Sequence, residues 1–195
     1  MHAELSKEMQ QHTYAIMNRV EDSHWWYVGR REILESFLQQ IVQTIRNPQS
    51  AIRILDVGCG TGGNLEMLGK FGAAEGVDVS DDALEFCRSK GLTVHKGLAE
   101  SLPFADESFD VVTALDVVEH LDDDIAGLEE MRRVLKAGGR TLIFVPAFMW
   151  LWGVQDDVSN HRISYTKKQI TGRLEKAGFE IERATYANWT FFAPI

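Results

Sequence analysis

The sequence predicts an α/β fold: a Rossmann-like, doubly wound and mostly parallel sheet, with an N-terminal helical pair and an aromatic lid. Three observations predict it. From residue 51 onward, short β-branched and aliphatic runs alternate with helical stretches five times. Gly58, Gly60 and Gly63 fall between the first such run and the helix after it. The chain has 195 residues, 45% of them hydrophobic and 25% charged, which suits one domain with a real core.

Each element has its own signal. Residues 4–20 carry Leu5, Met9, Ile16 and Val20 at roughly helical spacing. Residues 30–46 repeat Ile33, Leu34, Phe37, Leu38, Ile41, Val42 and Ile45 as one apolar stripe, ended by Asn47-Pro48. Ile52–Val57 reads as the first strand, Asn64–Phe71 as a short helix and Ala74–Val79 as the second strand. Ser80 caps the next helix, Asp81 and Asp82 complement its dipole, and Gly91 stops it. Leu92–Lys96 and Phe109–Leu115 are the third and fourth strands. Asp122–Lys136 is a helix with Ile125, Leu128, Met131 and Leu135 on one face, closed by Ala137-Gly138-Gly139. Arg140–Val145 is a fifth strand, stopped by Pro146. Thr166 and Gln169 form a capping box for a helix that stops at Gly178, and Phe179–Tyr186 is a sixth strand. The expected organisation is a helical lid or extension over 1–50 and a core over 51–195.

Composition narrows the partners. A net charge of −9 with no Lys/Arg block disfavours nucleic acid. Cys59 and Cys87 have no metal-ligand or disulfide spacing, so no metal is expected. The N-terminus has no apolar signal region, and no apolar run approaches the ~18 residues of a membrane span. A cytoplasmic chain without a transmembrane span is expected. Peripheral membrane contact by the apolar flanks stays open, as does the oligomeric state.

The glycine loop carries the functional reading. GxGxxG between strand and helix marks close approach of a nucleotide to the backbone, and by itself it fits NAD enzymes as well as others. Asp56, two residues before the first glycine, discriminates. Two like unit charges about 5 Å apart at an effective dielectric of ~20 repel by ~3 kcal/mol, which disfavours a pyrophosphate and favours a cationic ligand such as S-adenosylmethionine. Asp78 lies 22 residues after Asp56, at the end of the second strand, where a carboxylate accepts hydrogen bonds from ribose hydroxyls.

These segments together resemble the class I S-adenosylmethionine-dependent methyltransferases. Ile54–Leu65 (ILDVGCGTGGNL) is similar to their motif I, and Gly76–Ser80 to their acidic motif II. Leu98–Asp110, Asp116–Asp122 and Leu135–Val145 resemble the branch that includes the ubiquinone and menaquinone methyltransferases. The resemblance implies that Asp56, Gly58, Gly60 and Gly63 surround the methionine end of S-adenosylmethionine, with S-adenosylhomocysteine as the product. It implies that Asp78 holds the ribose, Ala99 and Glu100 the adenine, and that Asp116 and Val117 lie by the sulfonium. It also implies a sixth and seventh strand pair. The chain instead runs into the apolar Asn188–Ile195, so a longer parent protein is expected.

The acceptor side rests on fewer signals. His120, at the end of the fourth strand, either acts as a base on the substrate or ties its own loop. His161, a second candidate base, groups with Arg162 and Tyr165 as three polar functions before the capped helix, either for an anionic acceptor or for holding their loop. Trp25 and Tyr27, with Trp150 in a second aromatic cluster, read as a lid over the acceptor or as plain hydrophobic packing. Arg30 and Arg31 either meet an anionic acceptor or form a solvated helix start. The expected function is methylation of a small, lipid- or quinone-like acceptor. A silent cofactor-binding scaffold or regulator is the alternative, and an NAD-dependent oxidoreductase a weaker one.

Overall fold

The computed structural model describes residues 11–45, 51–147 and 164–187. Strands β1 (Arg53–Val57), β2 (Ala73–Asp78), β3 (Val94–Lys96), β4 (Phe109–Leu115) and β5 (Leu135–Phe144) form one sheet in the order β3-β2-β1-β4-β5. Every ladder is parallel. The strand order reverses at β1, so the crevice beyond the carboxyl ends of β1 and β4 is the topological switch point where such sheets bind ligands.

Period-two alternation sorts the two faces. Ile54 and Val111 pack with Leu34 and Leu38 of α2 (Trp25–Thr44), Leu65 and Leu68 of α3 (Leu65–Leu68) and Leu84 of α4 (Asp81–Ser89). Leu55, Val57, Val112 and Ala114 point the other way, onto Leu128 and Met131 of α5 (Asp124–Val134) and Leu174 of α6 (Lys167–Lys176). The caps read from the sequence form as expected. The Ser80 hydroxyl accepts from Ala83 N–H, and Thr166 and Gln169 make the reciprocal capping box.

Four expectations change. The helix expected over 30–46 begins at Trp25, because the His24 imidazole caps it by accepting from Trp26 N–H at 3.3 Å. The His24–Tyr27 aromatics therefore sit at its start, behind α1 (Gln11–Val20), rather than ahead of it. The helix expected over 64–71 shortens to Leu65–Leu68.

The third change concerns Ala137-Gly138-Gly139, which does not close α5. The helix ends at Val134 and the three residues lie within β5, at a register shift opposite Phe109 and Val111. A Cβ on Gly139 would come 2.8 Å from the Asp110 carbonyl oxygen, so this close approach requires glycine.

Finally, Phe179–Tyr186 joins no ladder among the described residues. Alternating apolar residues make a strand only when a neighbour accepts their hydrogen bonds. Among the described residues, side chains hold the run. Arg140 pairs with Glu182 at 2.6 Å, and the Tyr186 hydroxyl accepts from Lys167 N–H at 3.0 Å.

Candidate cofactor site

The ends of β1 and β4 interlock. The chain turns at Gly58 (φ +70°), where a Cβ would stand 2.3 Å from Cγ2 of Val117. Val117 is placed by Asp116, which takes the left-handed region (φ +60°) that aspartate tolerates better than most residues. The N–H groups of Gly58 and Cys59 both donate to the Val77 carbonyl, at 2.8 and 3.1 Å, which hangs the loop from the end of β2.

Asp78 completes the loop. Its Oδ2 accepts from Gly60 N–H and its Oδ1 from Ser80 N–H, each at 2.9 Å. Burial raises its pKa against the pull of these donors. A carboxylate has about four lone-pair sites, so acceptor capacity remains for a ribose hydroxyl.

Asp56 sits beneath the cleft rather than on its wall. It is 1% exposed; Oδ1 accepts from the Thr113 hydroxyl at 2.6 Å, and Oδ2 has no hydrogen-bond partner. Burial pushes its pKa up to about 7, opposed by the Thr113 bond and the Arg30 charge and reinforced by Asp78. A carboxyl half protonated near neutral pH repels an anion less than a full charge does. Asp56 therefore disfavours a pyrophosphate less than a fully charged carboxylate in the cleft would.

The N-terminal helices bring further residues to the site. Arg30 is 8% exposed rather than solvated; it pairs with the Asp116 carboxylate, and its Nη2 donates to Asn64 Oδ1 at 3.4 Å. The sequence did hold a signal for this. Arg30, Leu34 and Leu38 lie four residues apart and are the buried positions of α2, so Arg30 continues the apolar stripe. Glu21, just after α1, accepts from the Thr61 hydroxyl and from Lys90 Nζ, each at 2.7 Å. Lys90 also donates to the Thr61 carbonyl at 3.1 Å, so one three-residue knot ties α1, the glycine loop and α4 together.

The cleft brings together Gly58, Gly60, Gly63, Asp78, Ala99, Glu100, Asp116, Val117 and His120 with Trp25 and Tyr27 of α2. Glu100 Oε1 accepts from Asp122 N–H at 3.2 Å. His120 closes a 3-10 turn over Val118–His120, its N–H donating to the Val117 carbonyl at 2.9 Å. Trp25 is largely exposed and Tyr27 half-buried. Tyr165 is buried in the core, its hydroxyl donating to Asp124 Oδ2 at 2.8 Å beneath the Arg173 guanidinium. Trp150, His161 and Arg162 lie outside the described residues.

The donors fit an adenosyl amino acid. Asp78 has capacity for the ribose, glycines let the backbone approach, and buried groups of both signs, the Asp56 carboxyl and the Arg30 guanidinium, retain an unpartnered polar atom.

Comparisons with known proteins agree. The family model described as a methyltransferase domain matches residues 55–143. The demethylmenaquinone methyltransferase of Chlorobaculum parvum is 34% identical over 142 residues, 69% of this chain and 55% of the relative. The ubiquinone biosynthesis O-methyltransferase of Methylococcus capsulatus is 41% identical over 98 residues, 45% of this chain and 40% of the relative. The chain thus spans about half the length of the curated relatives it matches. Among solved structures, an S-adenosylmethionine-dependent methyltransferase of Thermotoga maritima superposes with a TM-score of 0.60 at 26% identity, covering 87% of this chain and 82% of that one. With a glycine loop closed on Asp78 at the switch point of a parallel sheet, and with these relatives, the chain belongs to the S-adenosylmethionine-dependent methyltransferases.

Proposed function

We propose that the chain transfers a methyl group from S-adenosylmethionine to a small, lipid- or quinone-like acceptor held beneath the N-terminal helices. One observation carries this: Trp25, Trp26 and Tyr27 of α2 line the same cleft as Gly58, Gly60, Asp78 and His120. An aromatic wall facing a nucleoside site suits a flat or apolar acceptor. The names of the menaquinone and ubiquinone relatives favour the same chemical class.

The sulfonium supplies an already activated methyl group, so the protein's work is alignment. In this reading Asp78 orients the ribose, Ala99 and Glu100 border the adenine, and the bond from Asp122 N–H fixes the Glu100 carboxylate. Val117, wedged against Gly58, sets the floor between cofactor and acceptor. The α2 aromatics exclude water and orient the acceptor. His120 takes the proton from an acceptor hydroxyl that must lose one. His161, Arg162 and Trp150 are assigned to the acceptor side by their sequence context; Tyr165, buried with its hydroxyl on Asp124, instead ties down its own loop. Among the described residues no helix is long and apolar enough to cross a membrane.

Calorimetric titration with S-adenosylmethionine, S-adenosylhomocysteine and NAD tests the cofactor, and a screen of quinols and phenols with radiolabelled methyl donor tests the acceptor. Binding of the first two with methyl incorporation into a quinol or phenol is expected. Binding of NAD alone overturns the reading, and cofactor binding without turnover on any acceptor leaves a scaffold.

A further inference from the structure

We propose that Cys59, in the glycine loop, and Cys87, on α4, join in a reversible disulfide when the chain meets hydrogen peroxide, and that this bond weakens cofactor binding. The effect on binding rests on the cofactor reading above; formation of the bond does not. No step of the methyl transfer uses either thiol, and their spacing in the sequence gives no sign of the pair.

The fold brings the two sulfurs to one point. Both residues are free thiols, 5% and 0% exposed. The Gly60 carbonyl oxygen lies 3.2 Å from Cys87 Sγ and 3.9 Å from Cys59 Sγ, so one acceptor serves both. The thiols also meet each other, and each is the largest influence on the other's proton. That contact, with burial, makes Cys59 hold its proton more tightly than an ordinary thiol. The same contact lowers the Cys87 pKa; burial and the charges of Asp78 and Glu21 oppose it, and the Lys90 ammonium assists.

This asymmetry divides the work. Cys59 lines the cofactor cleft, the route by which an oxidant as small as peroxide reaches the pair. Cys87 gives up its proton, and its sulfur attacks one peroxide oxygen. The O–O bond breaks, and the departing hydroxide takes that proton as water. Cys87 is then a sulfenic acid, oxidised by two electrons. Next the Cys59 sulfur attacks the Cys87 sulfur, the S–O bond breaks, and the hydroxide leaves as water with the Cys59 proton. Two thiols and one peroxide thus give one disulfide and two waters.

The bond must move the loop. Cys59 rests on Gly76 of β2, where a Cβ would stand 2.6 Å from its Sγ and 2.8 Å from its Cβ. Gly62 leaves similar room for Cys87, whose Sγ is 3.0 Å from the Cβ position there. A covalent bond draws the sulfurs closer than any non-bonded contact allows, which pulls Cys59 from its seat. The N–H groups of Cys59 and Gly60, which bond to the Val77 carbonyl and to Asp78, move with it. The Gly60 carbonyl loses both thiol donors at the same time.

Peroxide treatment of the full chain, followed by peptide mapping and calorimetry, tests this. The expected product is a monomeric chain with a peptide joining Cys59 to Cys87. Its affinity for S-adenosylhomocysteine should fall about 10-fold, the cost of one lost hydrogen bond, and return with dithiothreitol. Peroxide also oxidises methionine, which dithiothreitol does not reverse, so the recovery isolates the disulfide. Cys87→Ser should hold its own affinity through the same treatment, because Cys59 then has no partner. That variant can lose stability, so recovery in the unmodified chain is the second arm. Thiols that stay free, end as sulfinic acids or join two chains overturn the proposal. So does a joined pair with unchanged affinity, or an equal loss in Cys87→Ser. A reduced chain that binds no S-adenosylhomocysteine sinks the cofactor reading instead, and the joined peptide alone then decides whether the disulfide forms.

Discussion

The Glu21 carboxylate occupies the place that a side chain would take at Gly63: a Cβ built there stands 2.5 Å from Glu21 Oε2. The third glycine of the loop therefore accommodates the chain's own N-terminal segment. Gly60 differs, because the nearest atom to its Cβ position is Met17 Cε at 4.0 Å and its positive φ is what favours glycine.

Gly63→Ala is expected to cost about 1–3 kcal/mol, the range for forcing extra volume into a packed site. The cost should shrink in a Glu21→Ala background, where the obstructing carboxylate is gone. A double-mutant cycle in urea measures the coupling. Equal costs in both backgrounds would show that Glu21 is not the obstacle.

Lys90→Met should be among the more destabilising substitutions near the site. It removes the cation from Glu21, whose side chain is 6% exposed, and the donor from the Thr61 carbonyl. Stranding a buried charge costs about 3 kcal/mol or more. Combining it with Glu21→Gln should recover part of that loss, since no unpaired charge then remains. Urea midpoints of the single and double variants decide this; a double variant weaker by the sum of both losses contradicts it.

The sheet was legible in the sequence because each strand carries a short apolar run and each turn its glycine or cap. Ser80 and Thr166 formed the caps their identities suggest. The GxGxxG turn and Asp78 were likewise visible, since local spacing places them at adjacent strand ends. What escaped were residues whose role depends on distant packing. Arg30 meets Asp116 across 86 positions and Glu21 meets Lys90 across 69, pairings that no local period encodes. Asp56 was legible as a strand-end carboxylate but not as one sealed below the cleft. The β5 bulge and the 179–186 run, which joins no ladder among the described residues, escaped for a related reason: both depend on which neighbour is there to bond.

Asp78→Ala should weaken S-adenosylhomocysteine by about 10-fold or more, through loss of a charged acceptor for the ribose. It also strips the partner from Gly60 N–H, so the amide of Gly60 should exchange faster with solvent even without ligand. Asp78→Asn keeps a carbonyl oxygen for that N–H and should protect the amide better than Asp78→Ala. Calorimetry and amide hydrogen exchange read the two effects separately. Unaltered affinity in both variants would remove Asp78 from the ribose site.

Asp56 should make stability depend on pH in an identifiable window. Its folded pKa is pushed up to about 7 from an ordinary 3.8. Between those values the native state holds a proton that the unfolded chain has lost. Stability therefore falls as pH rises from about 4 to 7 and levels off above, the reverse of a salt-bridged aspartate. The whole interval amounts to at most about 4 kcal/mol. Asp78, also raised, contributes with the same sign, so the comparison must be between the chain and Asp56→Asn. The amide cannot titrate and still offers an oxygen to the Thr113 hydroxyl. Urea unfolding from pH 4.5 to 8 should show the two stability curves converging at the acid end, because Asp56 is then protonated and as neutral as the amide. Above pH 7 the variant should be the more stable by most of that amount. Parallel curves across the range would mean that Asp56 titrates normally and that its buried Oδ2 has an acceptable partner after all.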